Sequence, residues 1–180
     1  TTPTQVMTLL GNPAGLVGTN VAVGGQRTTN MLNNQASGVW PLFAGAGPTR
    51  ILVACEMLNE LYWGEPADHV FHRFVHYCTR ARSKGITVAA LTVPPTAQCA
   101  PTVDPGYFEP ARQQVNAWLR TWKTSFCDAL VDVGADSCVL GAVGANMNET
   151  YFLPDRVHYN NTGNGVVADM ITTDITPFLH

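Results

Sequence analysis

The segment Leu153-Pro-Asp155-Arg-Val-His158-Tyr-Asn sets a carboxylate three residues ahead of an imidazole, just before a helical stretch. On a turn, that spacing lets Asp155 accept from Nδ1 and leaves the other ring nitrogen of His158 outward, as a general base. The same residues would also serve as a capping carboxylate beside a surface histidine. In Asn20-Val-Ala-Val-Gly-Gly25-Gln-Arg-Thr-Thr29 two glycines follow a short β-branched run. Backbone there can approach a ligand closely, and the Gly25 N–H can donate to a developing oxyanion; a plain strand-to-helix turn uses the same residues. A phosphate loop is excluded, because no G-x-G-x-x-G and no Lys-Ser/Thr accompanies the glycines. In Ile51-Leu-Val-Ala-Cys-Glu56-Met-Leu-Asn59-Glu60 the amide of Asn59 lies beyond an apolar run, where it can donate to the same charge or cap the next segment. Tyr62 and Trp63 follow Asn59, and Tyr159 follows His158, so these rings either line a pocket or pack.

These residues need elements to position them. Apolar runs of strand length occupy 50–55, 86–93 and 129–133, and a shorter β-branched run occupies 19–23. Helical spacing marks 4–10, 28–35, 66–83, 110–128 and 162–179, with breaks at Asn12-Pro13, Gly85 and Pro94-Pro95. Continuous apolar strands alternating with amphipathic helices predict a parallel sheet covered on both faces, a three-layer α/β/α sandwich. In such sheets chemistry collects at the carboxyl ends of the strands, where the loops named above fall. A length of 180 residues without repeat or linker predicts one domain over 1–180.

Other residues carry less. His69, His72 and His76 share a helical face without an H-E-x-x-H pattern, so an exposed face is preferred to a metal site, and no cofactor is called for. Trp118 and Trp122 fall in phase with Val115 and Leu119 and are read as core. The chain is 46% apolar and only 13% charged, with net charge -3. No basic run is denser than Arg80-Ala-Arg82-Ser-Lys84, which excludes a nucleic-acid or anionic-membrane footprint. The longest apolar runs fall well short of a membrane span. Five cysteines, together with the acceptor patterns Asn148-Glu-Thr and Asn160-Asn-Thr, fit a secreted protein with one or two disulfides whose pairing stays open. Residue 1 is Thr, so the sequence is expected to begin inside a longer precursor.

The three segments occur in order, each near a strand end or the last helix. Here the chain resembles the SGNH hydrolases, also called the GDSL esterase/lipase family. The family's second block, a Gly after a strand, is similar to Gly25 in its Val-Gly-Gly-Gln-Arg setting. Its third block, Gly-x-Asn-Asp, is similar to Met57-Leu58-Asn59-Glu60. Its fifth, Asp-x-x-His, matches Asp155 to His158 with the continuation Tyr159-Asn160-x-x-Gly163. Met57 stands where the family has Gly. The first block, Gly-Asp-Ser with the nucleophile, is absent from these residues, and Ser37, Ser83, Ser125 and Ser137 do not replace it.

The resemblance implies a flavodoxin-like sheet of order 2-1-3-4-5 whose central first strand lies outside the 180 residues. That strand and the serine would then come from a separate N-terminal segment. It also implies a Ser-His-Asp esterase with His158 and Asp155 as base and orienting acid, and Gly25 and Asn59 as the oxyanion hole. The substrate would be a small-molecule or polysaccharide ester, with short acyl groups such as acetyl. The other readings are a non-catalytic carbohydrate-binding or assembly module of the same fold, and acyl transfer to another alcohol.

Overall fold

Three of the apolar runs pair side by side and in parallel. The computed structural model describes residues 5, 8–11, 17–45, 47–96 and 100–179. Strands β1 (Ile51–Ala54), β2 (Thr87–Leu91) and β3 (Ala129–Val131) form a sheet in that order. Ile51 pairs with Thr87, and Ala89 with Ala129. Helix α1 (Thr28–Asn34) runs through a π-helical turn (Gln35–Val39) into α2 (Trp40–Phe43). Helices α3 (Leu58–Tyr62) and α4 (Ala67–Arg82) separate β1 from β2, α5 (Phe108–Phe126) separates β2 from β3, and α6 (Asn161–Ile175) closes the fold.

The alternation along β2 shows why the sheet is sandwiched. Val88 and Ala90 face a core with Phe74 of α4 and Val115, Leu119 and Phe126 of α5. Ala89 and Leu91 face the opposite core with Val131, Phe152 and, from α6, Val167, Ala168 and Ile171. Successive side chains point to opposite faces, so an unbroken apolar run buries both. Each large side chain so buried contributes about 1.5–3 kcal/mol. The architecture is the expected α/β/α sandwich with a parallel sheet.

The carboxyl ends of β2 and β3 are tied by buried polar groups. Asn116 accepts from Val93 N–H and donates to Val93 O, both at 2.8 Å. The fully buried Arg112 donates to Val93 O at 3.0 Å and forks onto Glu109 at 2.6 and 2.8 Å. A buried guanidinium is tolerated because its donors are met by a carboxylate and backbone carbonyls.

Three expectations are corrected. Residues 19–23 form no strand; Val21 and Val23 are 43% and 62% exposed. A β-branched run becomes a strand only when a neighbouring strand pairs with it, and among the described residues 19–23 pair with none of the three strands. The disulfides are absent among the described residues, where Cys55, Cys78, Cys127 and Cys138 are free thiols; Cys99 lies outside those residues. The thiols are occupied by their surroundings instead: Cys127 donates to Lys123 O at 3.3 Å, Cys138 sits 3.8 Å from Met170 Sδ, and Cys78 is core. Trp122 is 56% exposed rather than core. The helical stripe drifts as it runs, so position 122 reaches the rim of the α4–α5 seam while Trp118 stays partly buried on Phe71. Of the helix expected over 4–10, Gln5, Thr8 and Leu9 are helical, Leu10 lies in the turn that follows, and positions 4, 6 and 7 fall outside the described residues.

Candidate active site

Asp155 and His158 meet as the spacing requires. His158 Nδ1 and Asp155 Oδ2 lie 2.8 Å apart, while Asp155 Oδ1 accepts from the backbone N–H groups of Val157 (2.9 Å) and His158 (3.0 Å). Those two backbone donors, and then the imidazole, hold the Asp155 carboxyl down at about 2. An ionised Asp155 fixes the Nδ1–H tautomer, which turns Nε2 outward with its lone pair available. The turn that makes this possible is pinched. Arg156 takes a left-handed φ of 60° and donates to Leu153 O, Leu153 N–H donates to His158 O, and Phe152 bridges Tyr159. Asn160 then caps α6, its Oδ1 accepting from Thr162 N–H (2.9 Å) and Gly163 N–H (3.1 Å). The pair is open to solvent, with side-chain exposures of 75% for His158 and 45% for Asp155.

The second and third segments are brought together. Asn59, in the first turn of α3, donates from Nδ2 to Gln26 O at 2.8 Å, which orients the amide beside the Gly24-Gly25 turn. One amide hydrogen is used there and the second remains for a ligand. Gly25 has a φ of 73° and is exposed, and among the described residues its N–H has no partner. Arg27 lies 5.6 Å above the Trp63 ring and pairs with Glu65 at 3.0 Å, a second link between the same segments. Tyr62 meets Trp63 edge-on at 5.5 Å. Met57 adopts φ 100° and ψ -24°, so the turn that glycine usually makes is made here by a fully buried methionine.

Two carboxyls in this region were not legible as a pair. Glu60 is fully buried and its Oε1 accepts from Thr28 N–H at the start of α1. Glu56 accepts from Asn59 N–H at 3.3 Å, and burial, then Glu60, push its carboxyl up to about 7. The sequence signal available was their i, i+4 spacing across the Asn59 turn.

Tyr159 packs on Phe152 with ring centroids 5.0 Å apart; its hydroxyl is buried with no hydrogen-bond partner among the described residues, within electrostatic reach of Cys55 at the end of β1. The His158 loop thus adjoins the β1 end of the sheet. Among the described residues no hydrogen bond joins His158 to Asn59 or Gly25. The hydroxyls of Ser37, Ser83 and Ser125 each donate to backbone within their own helical turn, and Ser137 lies exposed after β3. His69, His72 and His76 lie exposed along α4. Among the described residues no helix is long and apolar enough to cross a membrane.

Comparisons with known proteins bear on the fold and the family. Solved structures share the fold at low identity. A candidate acylhydrolase from Bacteroides fragilis has a TM-score of 0.71 at 21% identity, covering 99% of this chain and 81% of that one. The psychrotrophic esterase EstA from Pseudoalteromonas sp. gives 0.64 at 14%, covering 98% and 85%. The acetyl xylan esterase AlAXEase gives 0.60 at 17%, covering 84% and 77%. No curated protein sequence matches significantly. Residues 1–166 match the profile of the GDSL-like lipase/acylhydrolase family. With nine-tenths of its length inside that profile, and an Asp-His pair and a glycine-asparagine cluster on the sheet's loops, the chain belongs to the GDSL-like lipase/acylhydrolase family, hydrolases of acyl esters.

Proposed function

We propose that this chain supplies the base, the orienting acid and the oxyanion donors of a serine esterase that removes short acyl groups, acetyl above all, from carbohydrate. The observation that carries the reading is the 2.8 Å Asp155–His158 pair, made through Nδ1 by a histidine whose side chain is 75% exposed. A serine from a segment outside the 180 residues attacks the ester carbonyl while His158 Nε2 takes its proton. The Gly25 N–H and the Asn59 amide hold the oxyanion, a contribution of about 3–4 kcal/mol for one good donor. Collapse expels the alcohol, which His158 reprotonates, and water then cleaves the acyl-enzyme by the same path. The acetyl and carbohydrate assignments are supported by the likeness to an acetyl xylan esterase and by the openness of the site, which admits a polymer.

The test is hydrolysis of p-nitrophenyl acetate and acetylated xylan by the full-length natural protein. His158→Ala should lower kcat at least 1,000-fold, about the scale of losing a triad member; unchanged turnover would reject the assignment. Phosphonate labelling followed by mass spectrometry should place the adduct on a serine outside these residues. A second reading, a non-catalytic carbohydrate-binding module, is favoured by one observation: the hydroxyls of Ser37, Ser83 and Ser125 bond their own helices rather than His158. Binding of acetylated xylan with neither turnover nor phosphonate adduct would select it.

A further inference from the structure

The Gly24-Gly25 turn is held by no strand among the described residues. It closes through Gln26 N–H on Val23 O at 3.2 Å, both glycines are exposed, and residues 19–23 pair with none of the three strands. Its position is set from its other end, where the chain enters α1. Asn59 Nδ2 donates to Gln26 O, and the Thr28 N–H donates to the buried Glu60. Two such bonds fix two points on the chain and leave the turn free to pivot about the line between them.

Arg27 supplies a third point. Its backbone N–H donates to Asn30 Oδ1 at 3.1 Å, which ties the residue to α1. Its guanidinium pairs with Glu65 Oε1 at 3.0 Å and lies 5.6 Å above the Trp63 ring. A lone exposed ion pair is worth little, because two mobile side chains must be ordered to make it. Glu65, however, is ordered by other contacts. Its N–H donates to Glu60 O at 3.0 Å, its carbonyl accepts from the Tyr107 hydroxyl, and its Oε2 accepts from Arg73 Nη2 at 2.5 Å. Arg73 also donates to Thr29 Oγ1 at 3.2 Å, so α4 and the α3–α4 connection grip the start of α1 together. That connection is itself tight: Gly64 takes φ 77°, and a Cβ there would meet the Val103 side chain at 2.9 Å.

We propose that Arg27 and Glu65 are positioning residues whose ion pair holds the Gly24-Gly25 turn in fixed register with the Asn59 amide. Gly25 lies two residues before Arg27 and Asn59 six before Glu65, so the pair closes a ring of chain that contains both oxyanion donors. Cutting the ring at the pair leaves Asn59 on α3 and lets the Gly25 N–H drift from it. An oxyanion donor works only within about 2.7–3.1 Å of the charge it meets, and a displacement of about 1 Å is costly. Arg27 and Glu65 act through Gly25 rather than on the ester. The kinetic consequence rests on the esterase reading; the held turn does not.

The test follows the Gly25 backbone amide by 15N relaxation in the full-length natural protein. In the wild type its heteronuclear NOE should match that of the α1 amides. In Arg27→Gln it should fall to the level of a mobile loop while the α1 amides keep theirs. Glu65→Gln, which frees Arg27 without altering it, should do the same. In p-nitrophenyl acetate hydrolysis each variant should lower kcat about tenfold with KM unchanged, part of the roughly 100- to 1,000-fold that removing one oxyanion donor costs. The double variant should fall by the same factor as either single one, since both cut one link. Arg82→Gln removes a pair of similar exposure, with Asp128, at the far end of α4, and should change neither readout. A Gly25 amide that is mobile in the wild type, or still rigid in Arg27→Gln, would overturn the proposal. So would a loosened turn with unchanged kcat in an active esterase, or a double variant slowed about a hundredfold. A turn loosened by Arg27→Gln in a protein that hydrolyses no ester would leave the ion pair's role standing and reject the esterase reading alone.

Discussion

Met57 shows at the scale of one residue how a family position can be kept by geometry after its residue type has changed. Its φ of 100° costs an L-residue about 1–2 kcal/mol, yet its side chain is entirely buried in the core. Met57→Gly would relieve that strain but vacate a packed site. Because truncating a buried Met costs about 2–5 kcal/mol, the variant should be less stable by roughly 1–3 kcal/mol in urea unfolding. Glu56 sets a pH dependence at the same scale. Its carboxyl is raised from 4.5 to about 7 in the folded chain, so the folded state binds the extra proton between those values. Stability should therefore decline as pH rises from about 4.5 to 7 and level off above, and Glu56→Gln should flatten that decline. Asp155 runs the opposite way: held at about 2, it stays ionised through all working pH values and keeps the His158 tautomer fixed. Asp155→Asn retains an acceptor for the backbone donors but loses the charge, and should lower kcat by about 1,000-fold or more with little change in KM.

At the scale of elements, the α6 N-terminus is what aims the dyad. Asn160 caps it, and the Asn160 amide nitrogen also donates to Glu149 O at 2.9 Å, so a glycan on that amide would break the cap. Glycosylation mapping should find Asn160 unmodified in correctly folded protein. A Cβ on Gly163 would meet Tyr151 O at 2.2 Å, because α6 packs directly on the segment leading into the Asp155–His158 turn. Gly163→Ala should therefore destabilise the chain by about 1–3 kcal/mol, measured by thermal unfolding, and should also lower kcat by displacing His158. The helices were legible because burial at every third or fourth residue leaves its period in the sequence, as in Val70, Phe74, Tyr77 and Cys78 of α4. Residues 19–23 carried an equally local strand signal and became exposed backbone, since ladder hydrogen bonds depend on a partner that the run does not itself encode.

Across the whole molecule, the layered α/β/α plan and the Asp155–His158 contact were already legible in local pattern. Continuous apolar strands must be covered on both faces, and a three-residue turn brings a carboxylate to its own imidazole without help from distant chain. The meeting of Asn59 with the Gly24-Gly25 turn was expected from the family resemblance alone, since the strand read over 19–23 does not form. Which atoms meet was set by the packing of distant segments: Asn59 on the Gln26 carbonyl, Arg27 over Trp63, and Glu60 buried against the Thr28 N–H. It likewise kept Cys78 and Cys127 as buried thiols and left Trp122 at a rim. The division has one cause. Period and short-range spacing are properties of neighbouring residues, whereas the burial and partnering of a polar group are set by segments that arrive from thirty or more residues away.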